Sequence, residues 1–293
     1  MTTARRVPLV THTGREQARV SARAAAQRFL DAGLEVTLCD PEAGELAIPG
    51  TTTADSADPG AGCEIVVVLG GDGTLLRGAE LARAQQLPVV GVNLGHVGFL
   101  AEAEQDDLAA VVDRVVERRY TVEERLTLAV QVTRENTPVR TGWAVNEASI
   151  EKASRDRMLE VVAEVDGRPL SRWGCDGVVC ATPTGSTAYA FSAGGPVVWP
   201  EVEALLMVPL SAHALFARPL VVAPTSVLAV ELVAGSAGVL WCDGRRTLEL
   251  ALGDRVEVRR SPIPLRLARL HQAPFTDRLV AKFALPVEGW RGR

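Results

Sequence analysis

The sequence predicts an α/β domain with a parallel sheet, followed by a domain built almost entirely of antiparallel strands. Before residue 120, apolar strand-like runs alternate with helix-like segments, which is typical of a parallel sheet with helices on both faces. After residue 125, short runs with period-two alternation are separated by turns such as Asp166-Gly167 and Asp243-Gly244. The predicted domains are residues 1–122 and 123–268, with a tail at 269–293 that packs back on the α/β domain.

The elements of the first domain follow in order from local patterns. Apolar, β-branched runs predict strands, and segments with helical periodicity predict helices. In chain order these are a strand at 6–10, a helix at 15–32, a strand at 34–38, a loop at 51–62, a strand at 65–69, a helix to about 86, a strand at 89–92 and a helix at 106–119. Together they indicate a Rossmann-like sheet.

The elements of the second domain are short strands in which apolar and polar residues alternate. They are predicted at 126–132, 159–165, 226–233, 239–241 and 255–259. In the tail, the segment 275–283 has helical periodicity and is predicted to be a helix.

Composition and charge argue against a nucleic-acid-binding, membrane-spanning or zinc-binding protein. The chain has 293 residues, 47% of them hydrophobic, and a formal net charge of −5, which argues against a dedicated nucleic-acid binder. No apolar run is long enough to span a bilayer and no signal-peptide pattern is present, so we expect no membrane partner and a cytoplasmic location. The five cysteines lack zinc-site spacing and are expected to be small buried residues.

The apolar run at 65–69 ends in the most informative turn of the chain, Gly70-Gly71-Asp72-Gly73-Thr74. Ligands bind at the carboxyl ends of strands in open α/β sheets, and backbone N–H groups at a following helix start favour phosphate. The turn is neither a Walker A loop nor a Gly-x-Gly-x-x-Gly fingerprint. On this pattern alone, a nucleotide or phosphate site competes with an ordinary Asp-Gly turn.

A second segment, 176–196, interrupts the β-rich half. Pro183 and Gly185 break its strand, and a short helix is predicted at 186–192. Four hydroxyl side chains crowd the same loop, namely Thr182, Thr184, Ser186 and Thr187. Such hydroxyls suit phosphate or ribose oxygens, but they also cap helices routinely, so both interpretations stay open at this stage.

These motifs together resemble those of bacterial NAD kinases, most closely the actinobacterial form. Matching segments run in the family's order from the first domain almost to the C-terminus: 70–74, 91–100, 146–147, 176–196, 213–221 and 275–278. The first alone is shared with diacylglycerol, sphingosine and 6-phosphofructokinase relatives. The long Thr-Pro-Thr-Gly-Ser-Thr-Ala-Tyr segment at 182–189 is far more specific.

The resemblance implies transfer of a phosphoryl group from ATP or polyphosphate to the 2′-hydroxyl of the adenosine ribose of NAD, giving NADP. It implies Mg²⁺ with the phosphoryl donor, and a homodimer or homotetramer. Asp72 would be the general base. The donor loop would include Gly70, Gly71 and Thr74. The residues implied for NAD binding are Asp72, Gly73, Arg77, Phe99, Asn146, Glu147, Arg157, Asp176, Thr187, Ala188, Tyr189 and Ser192. No protein ligand to the metal is assigned.

Several of these residues have an equally ordinary interpretation. Arg77 also suits a solvated helix face, and Phe99 also suits core packing. Asn146 and Glu147 lie among apolar residues, where a buried polar pair is costly without partners, so a sugar ligand is a good explanation. The segment Asp243-Gly244-Arg245 carries Arg where family members have Gln, which puts a ligand contact from Arg245 in doubt.

Three other functions compete with this one. A lipid or sphingoid kinase with the same turn would need an apolar membrane-facing patch. A dinucleotide-binding regulator without catalysis would have no use for a general base at Asp72. A dehydrogenase of the NAD-dependent class would need the glycine fingerprint that this chain lacks.

Overall fold

A computed structural model describes residues 5–40, 42–95, 98–101, 103–104, 107–155, 157–271 and 274–287. The chain divides into two compact units. The first comprises residues up to 124 together with those from 265 onward, and the second comprises 125–264. Among the described residues, no helix is long and apolar enough to cross a membrane.

The described residues of the first unit form a sheet of eight strands. These are β1 (Arg6–Thr11), β2 (Glu35–Leu38), β3 (Thr52–Thr53), β4 (Val66–Leu69), β5 (Val89–Asn93), β6 (Ala103–Glu104), β7 (Thr121–Arg125) and β20 (Leu265–Arg269). Their order is β3-β2-β1-β4-β5-β20-β7, with β6 also paired to β5, and the pairs from β3 to β20 are parallel. The predicted parallel sheet is therefore confirmed.

In the described part of the first unit, five helices accompany this sheet. They are α1 (Glu16–Asp31), α2 (Glu42–Leu46), α3 (Asp72–Arg83), α4 (Leu108–Val116) and α6 (Phe275–Phe283). Small and aromatic residues on one face of α1, including Ala22, Ala26 and Phe29, pack with the strands in one buried cluster. The helix forms because these residues recur at helical spacing while charged residues occupy its other face.

The second unit consists of two six-stranded antiparallel sheets. Its strands are β8 (Leu128–Arg134), β9 (Thr137–Ala144), β10 (Glu147–Lys152), β11 (Leu159–Val165), β12 (Arg168–Cys175), β13 (Gly177–Ala181), β14 (Leu205–Leu210), β15 (Leu220–Val222), β16 (Leu228–Gly235), β17 (Gly238–Cys242), β18 (Arg246–Leu250) and β19 (Arg255–Arg260). The sheet orders are β15-β14-β13-β10-β17-β18 and β12-β11-β16-β19-β8-β9.

The core of the second unit contains the inward faces of both sheets. Leu128 and Val230 of one sheet join Ile150 and Val178 of the other in a single buried cluster. Alternation accounts for this, since every second residue of a strand points to the same face. The predicted all-β domain of antiparallel strands is confirmed.

One strand lies in a different sheet from the one expected. Residues 265–268 were assigned to the β-rich domain, but they belong to β20, in which Leu267 pairs in parallel with Val89 of β5. The first unit therefore resumes at residue 265, and the first segment extends to 124 instead of 122. The alternation of β20 resembles that of the preceding strands, which is why local pattern alone misassigned it.

Candidate active site

The turn at 70–74 joins β4 to α3, at the carboxyl edge of the parallel sheet. Gly70 has φ +154°, a conformation that favours glycine, and a Cβ atom there would collide with Thr74. At Gly71 and Gly73 the fold itself does not require glycine, because an added Cβ would meet no described atom within 4 Å. Open space at both positions leaves room for a ligand to approach the backbone.

The carboxylate of Asp72, the first residue of α3, is held by a neighbouring loop. Its Oδ2 accepts the backbone N–H of Phe99 at 3.0 Å, and its Oδ1 accepts that of Leu100 at 3.1 Å. A Cβ on Gly98 would overlap the same carboxylate, so this close approach requires glycine. These contacts fix the orientation of Asp72 at the edge where ligands of open sheets bind.

Phe99 is buried and takes part in an aromatic cluster. Its ring centroid lies 5.8 Å from that of Phe275 and 5.9 Å from that of Phe283, both on α6. Arg278 of the same helix donates to the carbonyl oxygens of Phe99 and Ala101. These are the contacts of a core residue, and contact of Phe99 with adenine stays a prediction.

Arg77 lies one turn into α3 and forms an ion pair with Glu42 of α2. Its Nη1 also donates to the carbonyl oxygen of Thr11 at 3.3 Å. The side chain is 32% exposed, so Arg77 is neither buried nor a freely solvated residue on a helix face.

In the second unit, Asn146 lies in the turn between β9 and β10, and Glu147 is the first residue of β10. Both are buried, and we call this pair the Asn146–Glu147 turn. The carboxylate of Asp243 fixes this turn. Its Oδ1 accepts the backbone N–H of Asn146 at 2.7 Å, and both of its oxygens lie within 3.0 Å of the backbone nitrogen of Val145. Arg246 donates to Oδ2 of Asp243 at 2.7 Å and stacks on the Trp143 ring.

Glu147 is the most perturbed carboxyl group of this turn. Burial, followed by the charge of Asp243, raises the pKa of Glu147 to about 8, although the backbone N–H of Tyr189 opposes the shift. Its Oε2 is buried and accepts no hydrogen bond from the part of the chain that the structure describes. An unsatisfied buried acceptor is costly, so a hydroxyl donor from a ligand would be a favourable partner.

Glu147→Gln is expected to flatten the pH dependence of stability. The carboxyl group has an ordinary pKa of 4.5 and a folded pKa of about 8, so the native state binds the extra proton between those values. Stability should therefore fall as pH rises through this window, by at most about 1.4 kcal/mol per pH unit, and Gln should remove that slope. Urea unfolding without ligand, repeated across the window, measures the effect.

An exposed carboxylate of the same unit, Glu160, serves as the control for this experiment. Glu160→Gln should retain the slope of the unchanged protein. Parallel profiles for the unchanged protein and Glu147→Gln would contradict the raised pKa of Glu147.

In the hydroxyl-rich loop after β13, the buried hydroxyl groups form hydrogen bonds with the protein backbone. The Thr182 hydroxyl donates to the Val145 carbonyl at 2.7 Å and accepts the N–H of Gly185, while Ser186 exchanges hydrogen bonds with the Val198 backbone. A Cβ on Gly185 would overlap the carbonyl of Asn146, so the loop lies directly against the Asn146–Glu147 turn. Thr182 and Ser186 are thus fully occupied within the fold.

The short helix expected at 186–192 is divided in two. A 3-10 turn covers Thr184–Thr187 and a single α-helical turn, α5, covers Tyr189–Ser192, with Ala188 at φ −101° and ψ −124° between them. Thr187 and Ala188 are half-buried, whereas Tyr189 and Ser192 are exposed. The break at Ala188 presents these side chains beside the Glu147 carboxylate, which accepts the Tyr189 N–H.

A cavity of about 530 Å³ lies beside α5. Three predicted residues line it, namely Asp176, Tyr189 and Ser192, together with Glu151 and Lys152. Lys152 Nζ pairs with Asp176 Oδ1 at 2.6 Å, and Glu151 accepts the Ser149 hydroxyl at 2.6 Å. Burial, with the nearby charge of Glu151 next, raises the pKa of the Tyr189 hydroxyl.

Arg157 is the remaining predicted residue, and Arg245 and Cys175 are two further positions of this unit. Arg157 is exposed between β10 and β11 and forms no ion pair with the described residues. Arg245 is exposed in the turn before β18. Cys175 is buried in the core, where burial raises its thiol pKa to about 11, which is typical of an inert structural cysteine.

Sequence reasoning missed three residues of this region: Glu151, Lys152 and Asp243. A signal for Glu151 was available, because Glu147, Ser149 and Glu151 alternate along β10 and share one face of the strand. Asp243 looked like an ordinary turn residue. Its partners lie 97 and 98 residues earlier in the chain, and local pattern does not reveal such a pairing.

Each half of the chain matches a family model. The family model "ATP-NAD kinase N-terminal domain" matches residues 7–120, and "ATP-NAD kinase C-terminal domain" matches 145–270. The chain is 64% identical to NAD kinase 2 of Streptomyces avermitilis, covering 99% of this chain and 98% of that protein. It is 62% identical to the NAD kinase of Thermobifida fusca, and the match covers 100% of this chain and 93% of that protein.

Solved structures share the fold at lower identity. A yeast NADH kinase complexed with NADH aligns with a TM-score of 0.90 at 23% identity, covering 100% of this chain and 91% of that one. An NAD kinase from Archaeoglobus fulgidus in complex with ATP aligns with a TM-score of 0.73 at 24% identity, and the alignment covers 95% of this chain and 98% of that one. Family models over both halves and curated relatives over nearly the full length lead to one conclusion: the chain belongs to the NAD kinase family and is a phosphotransferase of the actinobacterial type.

Proposed function

We propose that this chain transfers the terminal phosphoryl group of ATP to the 2′-hydroxyl of the adenosine ribose of NAD, with Asp72 as general base. The observation that carries the proposal is the Asp72 carboxylate, oriented by the N–H groups of Phe99 and Leu100 at the carboxyl edge of a parallel sheet. The open space at Gly71 and Gly73 supports close approach of a substrate there.

The chemistry fits a carboxylate in this position. As the hydroxyl oxygen attacks phosphorus, its proton passes to Asp72, the bond from phosphorus to the ADP leaving group breaks, and NADP and ADP are formed. General-base assistance of this kind contributes about 10²–10⁴-fold. The remainder comes from positioning and charge neutralisation, because phosphoryl transfer needs little covalent work from the protein.

A divalent cation fits the chain as a companion of ATP. Among the residues that the structure describes, no three His, Cys, Asp or Glu side chains group into a metal site. Mg²⁺ commonly keeps several waters and binds through substrate phosphates with one or two carboxylates, so a protein cage is not required. When bound, it supplies neutralisation of phosphate charge.

The second unit supplies the side chains that we assign to NAD. The unsatisfied Oε2 of Glu147 and the buried amide of Asn146 suit sugar hydroxyls. The cavity lined by Asp176, Tyr189 and Ser192 suits a flat ring or a further sugar. A relative with this fold carries NADH in its crystal structure, and another carries ATP, which supports the choice of substrates.

The test is NADP formation by the purified protein with NAD and Mg²⁺. One arm supplies ATP, a second supplies polyphosphate, and a third replaces NAD with NADH. NADP in the ATP arm supports the proposal. NADP formed with polyphosphate but not with ATP would show that polyphosphate is the donor. If neither donor gives NADP while NAD still binds, the proposed reaction is contradicted. Light scattering on the same sample tests our further assignment of a homodimer or homotetramer.

Tyr189→Ala is expected to raise KM for NAD while changing kcat little, because the variant removes an exposed ring beside the cavity that we assign to NAD. A base–aromatic contact accounts for about tenfold in affinity. Tyr189→Phe keeps the ring and loses only the hydroxyl, so its KM should stay close to that of the unchanged protein. Steady-state kinetics with varied NAD measures both variants. An unchanged KM in Tyr189→Ala would remove Tyr189 from the site.

A further inference from the structure

The guanidinium of Arg77 lies where the carboxyl ends of two strands meet. Its Nη1 donates to the carbonyl oxygen of Thr11, the last residue of β1, and its Nη2 pairs with Glu42, which follows β2. In the order β3-β2-β1-β4-β5, the chain first adds β2 and then β3 on one side of β1. It then crosses over to β4, which pairs with the other side of β1, and continues to β5. Ligands of open α/β sheets bind at such a reversal of strand order.

Glu42 is an unusual partner for a half-exposed arginine, because its side chain is only 2% exposed. Its Oε2 is buried and accepts no hydrogen bond within the described ranges of the chain. Removing a carboxylate from water is unfavourable, and the attraction to a partner often does no more than offset this cost. Stability alone therefore explains this ion pair poorly, whereas fixing the direction of a guanidinium explains it well.

We propose that Glu42 is a positioning residue, which holds Arg77 against the end of β1 so that the exposed side of its guanidinium contacts a substrate phosphate. The inference rests on the proposed function, since that reaction brings phosphates to this edge of the sheet. Glu42 and Thr11 occupy two of the five N–H donors of a guanidinium. The remaining donors suit a phosphate of NAD or of ATP, which present the same chemistry.

Glu42→Gln tests this proposal, because glutamine has nearly the same shape but lacks the charge that holds Arg77. We expect KM for one substrate, NAD or ATP, to rise about tenfold with kcat little changed. Arg77→Gln should raise KM for the same substrate. The double variant should be no worse than Arg77→Gln, because Glu42 acts only through Arg77. Varying NAD and ATP separately identifies which phosphate is bound.

Glu64 provides a matched control in the same unit. Its carboxylate pairs with Arg5 and Arg118, so Glu64→Gln also removes an arginine-paired charge. We expect Glu64→Gln to leave both KM values unchanged, whatever it does to the melting temperature. Melting temperatures of all variants show whether they fold. If Glu42→Gln does not fold, Glu42→Asp, which keeps the charge on a shorter side chain, replaces it.

Three results would overturn the inference: unchanged KM values in a folded Glu42→Gln, unchanged kinetics in Arg77→Gln, or additive effects in the double variant. Failure of the proposed function has a different signature. Full turnover in Asp72→Asn would refute the general base, whereas a selective rise in KM with Glu42→Gln would still support the role of Glu42.

Discussion

Replacing Asp72 by asparagine is expected to lower kcat by about 10²–10⁴-fold while NAD binding is largely kept. The amide cannot accept the proton of the attacking hydroxyl, but it has almost the same shape as the carboxylate. Its one acceptor oxygen can still receive the N–H of Phe99 or Leu100, so the loop at 98–100 loses one of two hydrogen bonds. That loss costs about 1 kcal/mol, which is too little to unfold the unit.

The decisive measurement separates binding from turnover. Calorimetric titration of NAD gives the dissociation constant, and initial rates at saturating substrates give kcat. Asp113→Asn is a suitable control, because Asp113 is an exposed carboxylate of the same unit that pairs with Arg28. Its kcat should be unchanged. Equal losses of binding and turnover in Asp72→Asn would assign Asp72 to substrate binding and not to catalysis.

The turn that carries Asp72 is predictable from sequence because its signal is local, whereas the role of general base is what the resemblance to NAD kinases implies. An apolar strand, three glycines and a carboxylate lie within ten residues, and this pattern specifies both the turn and its place at the carboxyl edge of a sheet. The structure adds the loop that orients Asp72, which begins 26 residues later at Gly98. Glycine at that position is explained only by the approach of the carboxylate.

Residues that depend on distant partners were less accessible. The sequence singles out Arg77 as a candidate phosphate ligand, which stays a prediction, but it does not reveal the ion pair with Glu42, which joins positions 35 residues apart on different helices. Residues 265–268 were assigned to the β-rich domain without a predicted strand, whereas β20 pairs with β5 through Leu267 and Val89. Periodicity specifies which residues share a face, but it does not specify which strand becomes the neighbour.

The hydroxyl-rich loop shows where chemistry-based reasoning needs geometry. Thr182 and Ser186 have the same functional groups as a phosphate-binding loop, but both are buried and hydrogen-bonded to the backbone at Val145 and Val198. Capping and ligand binding use the same hydroxyl donors, so residue type alone does not distinguish them. Burial distinguishes them here, since fully enclosed hydroxyls have no access to a ligand.

Asp243→Ala is expected to damage both stability and NAD recognition. The side chain is 1% exposed and accepts backbone N–H groups from Val145 and Asn146, so its removal leaves buried donors unsatisfied and Arg246 without this carboxylate. Such losses cost about 2–4 kcal/mol of unfolding free energy. The Asn146–Glu147 turn would lose the group that fixes it, and we expect KM for NAD to rise at least about tenfold.

Asp254 makes a closely matched control for this experiment. It is a buried carboxylate of the same unit, accepts the N–H of Ala251 and pairs with Arg134 through both oxygens, but it has no contact with the Asn146–Glu147 turn. Asp254→Ala should therefore destabilise the protein to a comparable degree. Its KM for NAD should stay unchanged, because the turn that presents Glu147 is intact.

The comparison of the two variants separates global from local effects. Urea unfolding measures the loss of stability in each, and kinetics at a temperature where both remain folded measures KM for NAD. If both KM values rise together, loss of stability explains the effect and Asp243 has no specific role. If only Asp243→Ala raises KM, then the carboxylate that holds Val145 and Asn146 also shapes the NAD site. A buried side chain with no access to substrate would then determine recognition through its hydrogen bonds to the backbone N–H groups of Val145 and Asn146.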